Sequence, residues 1–157
     1  MQPNIGISEK NTQEVANILS KLLADEFVLC TKTRNAHWNV EGIDFYDKHK
    51  FFEGQFEQLD EAIDSIAERI RTVGHYVSGS LTKFLETTHL TEQTREQNDG
   101  KGFISLLLAD HESIIISIRE NITPVTEKHK DLGTSDFLTS IMEMHEKMAW
   151  FLRAHLK

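Results

Sequence analysis

The sequence predicts an all-α protein: a bundle of four long helices, with a short extra helix in the connection between the second and third. Three observations carry that expectation. Apolar residues recur at three- and four-residue spacing over most of the chain. Only two prolines, Pro3 and Pro124, interrupt its 157 residues. The polar stretches rich in Ser and Gly fall between the periodic segments, not inside them. A chain of this length forms one domain, residues 1–157, and buries about 70% of the surface that its unfolded form exposes. It needs neither metal nor disulfide to fold.

The first helix is expected from about Ser8 to Asn39, with Val15, Ile18, Leu19, Leu22, Leu23, Phe27 and Cys30 on its apolar face. Asn11 with Glu14 would form a capping box, and Ser8 is the alternative start. Gly42 and Asp44 mark a turn. The second helix is expected from about Phe45 to Tyr76, its stripe formed by Phe45, Phe52, Phe56, Leu59, Ile63, Ile66, Ile70 and Val73. Ser78, Gly79 and Ser80 then break the pattern, and Leu81, Phe84 and Leu85 allow one short helix before Asn98. A third long helix begins near Asp99 or Gly100 and carries Phe103 through Ile122, where Pro124 ends or kinks it. The fourth begins around Thr134 or Ser135 and runs to Leu156, with Phe137, Leu138, Ile141, Met144, Met148, Phe151 and Leu152 inward. Four long helices with one long crossover make the ferritin-like arrangement.

A formal charge of −8 argues against unaided binding to a polyanion and suits a protein that concentrates cations, though an ordinary acidic protein carries the same sign. The opening MQPNIGISEK lacks the basic start and apolar block of a secretory signal, so a cytoplasmic address is expected. The longest apolar runs, such as 106–109, fall far short of the roughly 20 residues that span a bilayer. Cys30 has no intrachain partner and reads as a small buried hydrophobe in a reducing compartment.

The chemistry concentrates on the second helix. His49 and Glu53 are four residues apart, Asp64 and Glu68 are four apart, and the pairs are mirror-placed about the point between Gln58 and Leu59. Residues at that spacing share a helix face. Glu53 and Asp64 are eleven residues apart, roughly 16 Å along the axis at the α-helical rise, too far to share one ion within one chain. Two copies crossing antiparallel about a two-fold axis near Gln58 would bring opposite ends together and make two identical sites. His37, at the end of the first helix, gives five candidate ligands: His37, His49, Glu53, Asp64 and Glu68. Mixed imidazole and carboxylate donors suit iron, with zinc or manganese as surrogates, and differ from a closed thiolate zinc site. Solvated surface residues are the plain alternative for any one of the five, but not for their joint spacing. A Glu-x-x-His pair occurs only once, at Glu86 and His89 in the connection, and reads as coincidence.

The segment from His37 to Gly42 (HWNVEG) with His49 and Glu53, and the segment from Asp64 to Arg69 (DSIAER) with Gly74, resemble the two signatures of the Dps family, the mini-ferritins. The likeness extends through Met148 to Arg153. Glu53 stands where aspartate is commoner in that family, shifting its carboxylate by one methylene. Lys48 and Val77 depart from residues that are usually aliphatic and Pro or Ala. The resemblance implies a hollow shell of twelve subunits built from two-fold dimers. It implies that His37, His49 and Glu53 come from one subunit and Asp64 and Glu68 from its mate.

The implied reaction is oxidation of ferrous iron by hydrogen peroxide, or by dioxygen, with ferric mineral stored inside and protection from oxidative damage as the result. By the same resemblance, Asp64 and Glu68 anchor a first ion with the mate's His37, Glu68 bridges, and His49 with Glu53 completes a weaker second position. Trp38 would either donate electrons to stray oxidants or simply pack. Glu127, Asp131 and Asp136, in the turn before the last helix, would line an acidic pore. Glu57 and Asp60, on the ligand arc, would either nucleate ferric oxide or remain solvated. Family members that bind DNA directly often carry a lysine-rich arm; here the first ten residues hold only Lys10, and the far end offers Arg153 and Lys157, so weak or no direct DNA binding is expected. The competing readings are a nucleoid-compacting protein with a vestigial metal site, and a plain helical interaction module.

Overall fold

The computed structural model describes residues 3–92 and 98–157. Its elements are α1 (Glu9–Asn39), α2 (Phe45–Thr72), α3 (Leu81–Thr87), α4 (Gly100–Glu127) and α5 (Leu132–Ala154). No strand occurs among the described residues. The chain is an all-α, ferritin-like bundle in which α1 packs along α2 and α4 along α5. None of the helices is long and apolar enough to cross a membrane.

Each boundary has a local cause. Ser8 caps α1, its hydroxyl accepting from the Asn11 N–H, so the alternative start is the one used. The C-terminus of α2 comes four residues earlier than the periodicity implies. Gly74 adopts φ +99°, the Gly74 N–H bonds the Arg71 carbonyl, and the His75 N–H bonds that of Ile70. Those paired bonds form a Schellman motif, a left-handed stop that glycine adopts without steric cost. Pro124 does not end α4, which runs on to Glu127; its fixed φ is helical, and the carbonyl it leaves unbonded belongs to exposed Glu120. α5 begins two residues before Thr134. Asp131 is its N-cap, one oxygen accepting from the Thr134 N–H at 2.9 Å and the other from the Thr134 hydroxyl at 2.6 Å.

The core is the expected one except at Phe45 and Phe151, which the periodicity places inward but which are 45% and 39% exposed, Phe45 lying against His49 and Phe151 against Trp150. Phe52, Leu59, Ile66 and Ile70 of α2 are sealed completely, as are Leu19, Leu23 and Leu29 of α1 within 2% exposure. Each such side chain contributes roughly 1.5–3 kcal/mol. Cys30 is buried, and burial raises its thiol pKa to about 11, so it is an inert thiol at neutral pH.

The crossover is tied to the bundle by polar groups. Lys32 Nζ reaches the Thr91 carbonyl at 3.0 Å and the Asp110 carboxylate at 2.5 Å. The Glu41 N–H bonds the Asn98 carbonyl at 2.9 Å. Phe84 of α3 stacks on Phe27 of α1 with centroids 4.1 Å apart. Arg69, near the end of α2, donates to the Thr134 hydroxyl at 2.9 Å and to Asp131 at 3.2 Å, joining α2 to the start of α5.

Candidate metal centre

The turn at Gly42 folds α2 back against the end of α1 and sets His49 across from His37. The imidazoles stack with centroids 3.8 Å apart and planes 21° from parallel. His37 Nδ1 lies 2.9 Å from the His49 carbonyl oxygen, and His49 Nδ1 lies 2.8 Å from that of His37. A carbonyl only accepts, so both Nδ1 atoms carry the hydrogen, and in the neutral ring the lone pair is on Nε2. That is the state an imidazole needs to bind a metal, fixed here by the backbone. Phe56 presents its edge to His37 at 5.2 Å, and Phe45 lies 5.2 Å from His49, which limits rotation of the rings.

Glu53 sits one helical turn beyond His49. Its carboxylate accepts from Lys50 at 2.5 Å, and that hydrogen bond is the largest of the influences that hold its pKa below the usual range; the two histidines add a smaller pull. It is therefore a carboxylate at neutral pH, shared between Lys50 and the edge of the histidine pair. Asp64 and Glu68 are exposed further along α2. One protomer thus stacks His37 on His49, with Glu53 one turn further along α2, and leaves Asp64 and Glu68 apart. Among the described residues no group of three acidic, histidine or cysteine side chains is placed to hold a metal ion within one chain.

Four further expectations can be set against the structure. Asp131 is 2% exposed and committed to its cap and to Arg69, so it offers no carboxylate to a pore; Glu127 and Asp136 are exposed. Asp60 pairs with Arg34 and lies 3.4 Å from the Cys30 sulfur, whereas Glu57 is exposed. Trp38 is 67% exposed and is not packed into its own protomer. The Glu86 and His89 pair is split, Glu86 facing Lys83 and His89 facing Asp25.

Sequence reasoning missed the polar groups inside the bundle. Glu26, His111 and His145 come from three different helices, and none has exposed surface. His145 Nε2 lies 2.6 Å from Glu26, and its Nδ1 lies 2.8 Å from His111 Nδ1. With His145 donating to the carboxylate, His111 Nδ1 must donate to His145, which leaves the His111 Nε2 lone pair without a partner. The only signal was that these positions fall on the apolar faces of their helices.

A helical bundle with one crossover, carrying histidines and carboxylates on its surface helices, defines the ferritin-like class, and a ferritin-like domain model matches residues 16–157. A low temperature-induced protein of Nostoc is 40% identical over 98% of the chain and 86% of its own length. The DNA protection during starvation protein 2 of Bacillus anthracis is 32% identical over 92% of the chain and 97% of its own length. The crystal structure of the Dps protein of Vibrio cholerae, described as a ferritin-like diiron-carboxylate protein, superposes with a TM-score of 0.92 at 30% identity, covering 100% of this chain and 98% of that one. The chain belongs to the ferritin-like family and, within it, to the Dps mini-ferritins.

Proposed function

We propose that this protein oxidises ferrous iron at sites completed by a two-fold related copy, and stores the ferric product inside an assembled shell. His37, His49 and Glu53 of one protomer face the partner's Asp64 and Glu68, so each two-fold contact holds two equivalent sites. The reciprocal bonding of His37 and His49 carries this reading, because it occupies both Nδ1 atoms with backbone carbonyls and leaves the two Nε2 atoms for a ligand, with Glu53 one helical turn beyond. Asp64 and Glu68 lie on the same helix, mirror-placed in sequence to His49 and Glu53, which is the spacing an antiparallel two-fold crossing would use.

Iron is the substrate. Imidazole and carboxylate donors bind ferrous ions, and the carboxylates favour the ferric product. Two ferrous ions held together pass two electrons to one hydrogen peroxide, giving two ferric ions and two hydroxides. A lone ion passes one electron and releases a hydroxyl radical. The protein's part is to hold the pair, to keep Glu53 ionised and to hold each neutral imidazole in the tautomer whose Nε2 is open to a metal.

The test is addition of ferrous iron and peroxide while ferric absorbance is recorded, for the native chain and for Asp64→Ala with Glu68→Ala. Rapid oxidation by the native chain and little by the variant is expected; equal rates would refute the assigned acids. Size-exclusion chromatography of the native protein should show an assembly of about twelve subunits. A monomer would refute the shared site.

A further inference from the structure

The crossover holds a second set of reactive side chains, far from the paired histidines in the sequence and independent of iron. His89 turns between α1 and α4. Its Nδ1 lies 2.7 Å from Oδ2 of Asp25, and its Nε2 lies 2.9 Å from the Ser113 hydroxyl. The other Asp25 oxygen accepts from the Thr88 hydroxyl at 2.7 Å and from the His89 backbone N–H at 2.9 Å. A carboxylate accepts, so Nδ1 of His89 carries the hydrogen; in the neutral ring Nε2 then holds the lone pair and Ser113 donates to it. This is the order of bonds in which a hydroxyl nucleophile, a general base and an orienting carboxylate work together.

Exposure follows the same order. The Asp25 side chain is 1% exposed and held by three donors, that of His89 is 28% exposed, and Ser113 is half-buried on α4. The orienting group is dry while the reacting edge reaches solvent. A connection that needed only to be fastened down would be served by the contacts of Asp25 with Thr88 and His89; the further bond to Ser113 gives a hydroxyl a base.

We propose that Ser113 is an activated nucleophile that accepts acyl and phosphonyl groups from activated esters. The Ser113 oxygen bonds to the ester carbonyl carbon as its proton passes to His89 Nε2. The bond to the leaving oxygen then breaks, and the alcohol or phenol departs with that proton or loses it to water. A water molecule, deprotonated by His89, attacks the acyl group, releasing the carboxylic acid and restoring the serine; the sum is ester plus water giving acid plus alcohol. Ser113 lies within α4, where its N–H belongs to the helical ladder and offers no donor to a developing oxyanion. Substrates are accordingly small esters whose leaving groups depart unaided, such as aryl esters, and not peptides.

The assembled protein, without iron, is treated separately with a fluorophosphonate and with p-nitrophenyl acetate. The readouts are intact mass, peptide mapping and release of p-nitrophenol. One phosphonyl adduct per chain on Ser113 is expected, formed as the serine oxygen bonds to phosphorus, fluoride leaves and the serine proton passes to His89. Ser113→Ala abolishes it while iron oxidation and melting temperature are unchanged. Asp25→Asn, which disturbs the His89 tautomer, slows it by about tenfold or more. Should that variant melt early, His89→Gln is read in the same way. No adduct on Ser113, or labelling as fast without the carboxylate or the imidazole as with them, overturns the proposal. Because iron oxidation is read separately, neither result bears on the ferrous site.

Discussion

His37 and His49 each donate Nδ1–H to the other's backbone carbonyl, at 2.9 and 2.8 Å. The bonds close a ring between the end of α1 and the start of α2, so the tautomer of each imidazole is set by the fold before any metal arrives. Replacing either by alanine removes one ligand and the ring stacked on the other imidazole, whose bond to the backbone carbonyl remains. The initial rate of ferrous oxidation by peroxide should fall about 10–100-fold in each variant, with helical circular dichroism unchanged. Rates within twofold of the native chain would show that the pair does not serve the site.

Lys50 competes with a metal for Glu53. The hydrogen bond lowers the carboxylate pKa and raises that of the ammonium, so both stay charged at neutral pH and an incoming cation must displace the lysine. Lys50→Gln should tighten ferrous binding, measured by calorimetry without oxidant, by up to about fivefold, the ceiling for an exposed pair. Weaker binding would mean that Lys50 orients Glu53 and does not block it.

The buried histidine of α4 makes stability depend on pH. Burial, with His145 beside it, holds the His111 pKa well below the ordinary imidazole value near 6.5, so the ring is neutral in the fold. Above about pH 6.5 it is neutral in the unfolded chain too, and stability is complete. Below that, the unfolded chain takes up a proton that the fold refuses, and stability falls by up to about 1.4 kcal/mol per pH unit for this group. Urea unfolding between pH 8 and pH 5 should show the decline. His111→Gln, which keeps a donor for His145, should reduce the slope by about one proton.

Asp131 and its acidic neighbours should separate by phenotype. Asp131→Ala removes the α5 cap and one of the two partners of the Arg69 guanidinium, at a cost of about 1–3 kcal/mol. Glu127→Gln with Asp136→Asn removes only exposed charge and should leave thermal unfolding within a degree or two. If acidic side chains draw iron inward, the double variant slows ferric mineral growth and Asp131→Ala slows it only as far as it unfolds. The converse pattern would return Asp131 to the pore.

Periodicity made the bundle legible because each helix buries one face, and the stripe of α2 maps onto a sealed core from Phe52 to Ile70. The His49, Glu53, Asp64 and Glu68 spacing was legible for a related reason: helix geometry alone decides which of them share a face. Boundaries were less so. Pro124 suggests a stop or a kink but sits where only one exposed carbonyl loses its bond, and Asp131, read as a pore acid, is a cap whose second partner, Arg69, is distant in sequence. Glu26, His111 and His145 escaped notice because a buried polar chain is formed by partners on three helices. No window of one helix contains the match.

The central claim is that neighbouring copies complete each other's iron site, and mixed assembly tests it most directly. One variant lacks the imidazoles through His37→Ala with His49→Ala, and the other lacks the acids through Asp64→Ala with Glu68→Ala. Each is inactive alone. Unfolded together and reassembled, half of the two-fold pairs are mixed, and each mixed pair holds one intact site and one empty of both donor sets. Ferrous oxidation should return to about a quarter of the native rate. A mixture as inactive as its components, in assemblies shown by mass to contain both chains, would contradict the shared site.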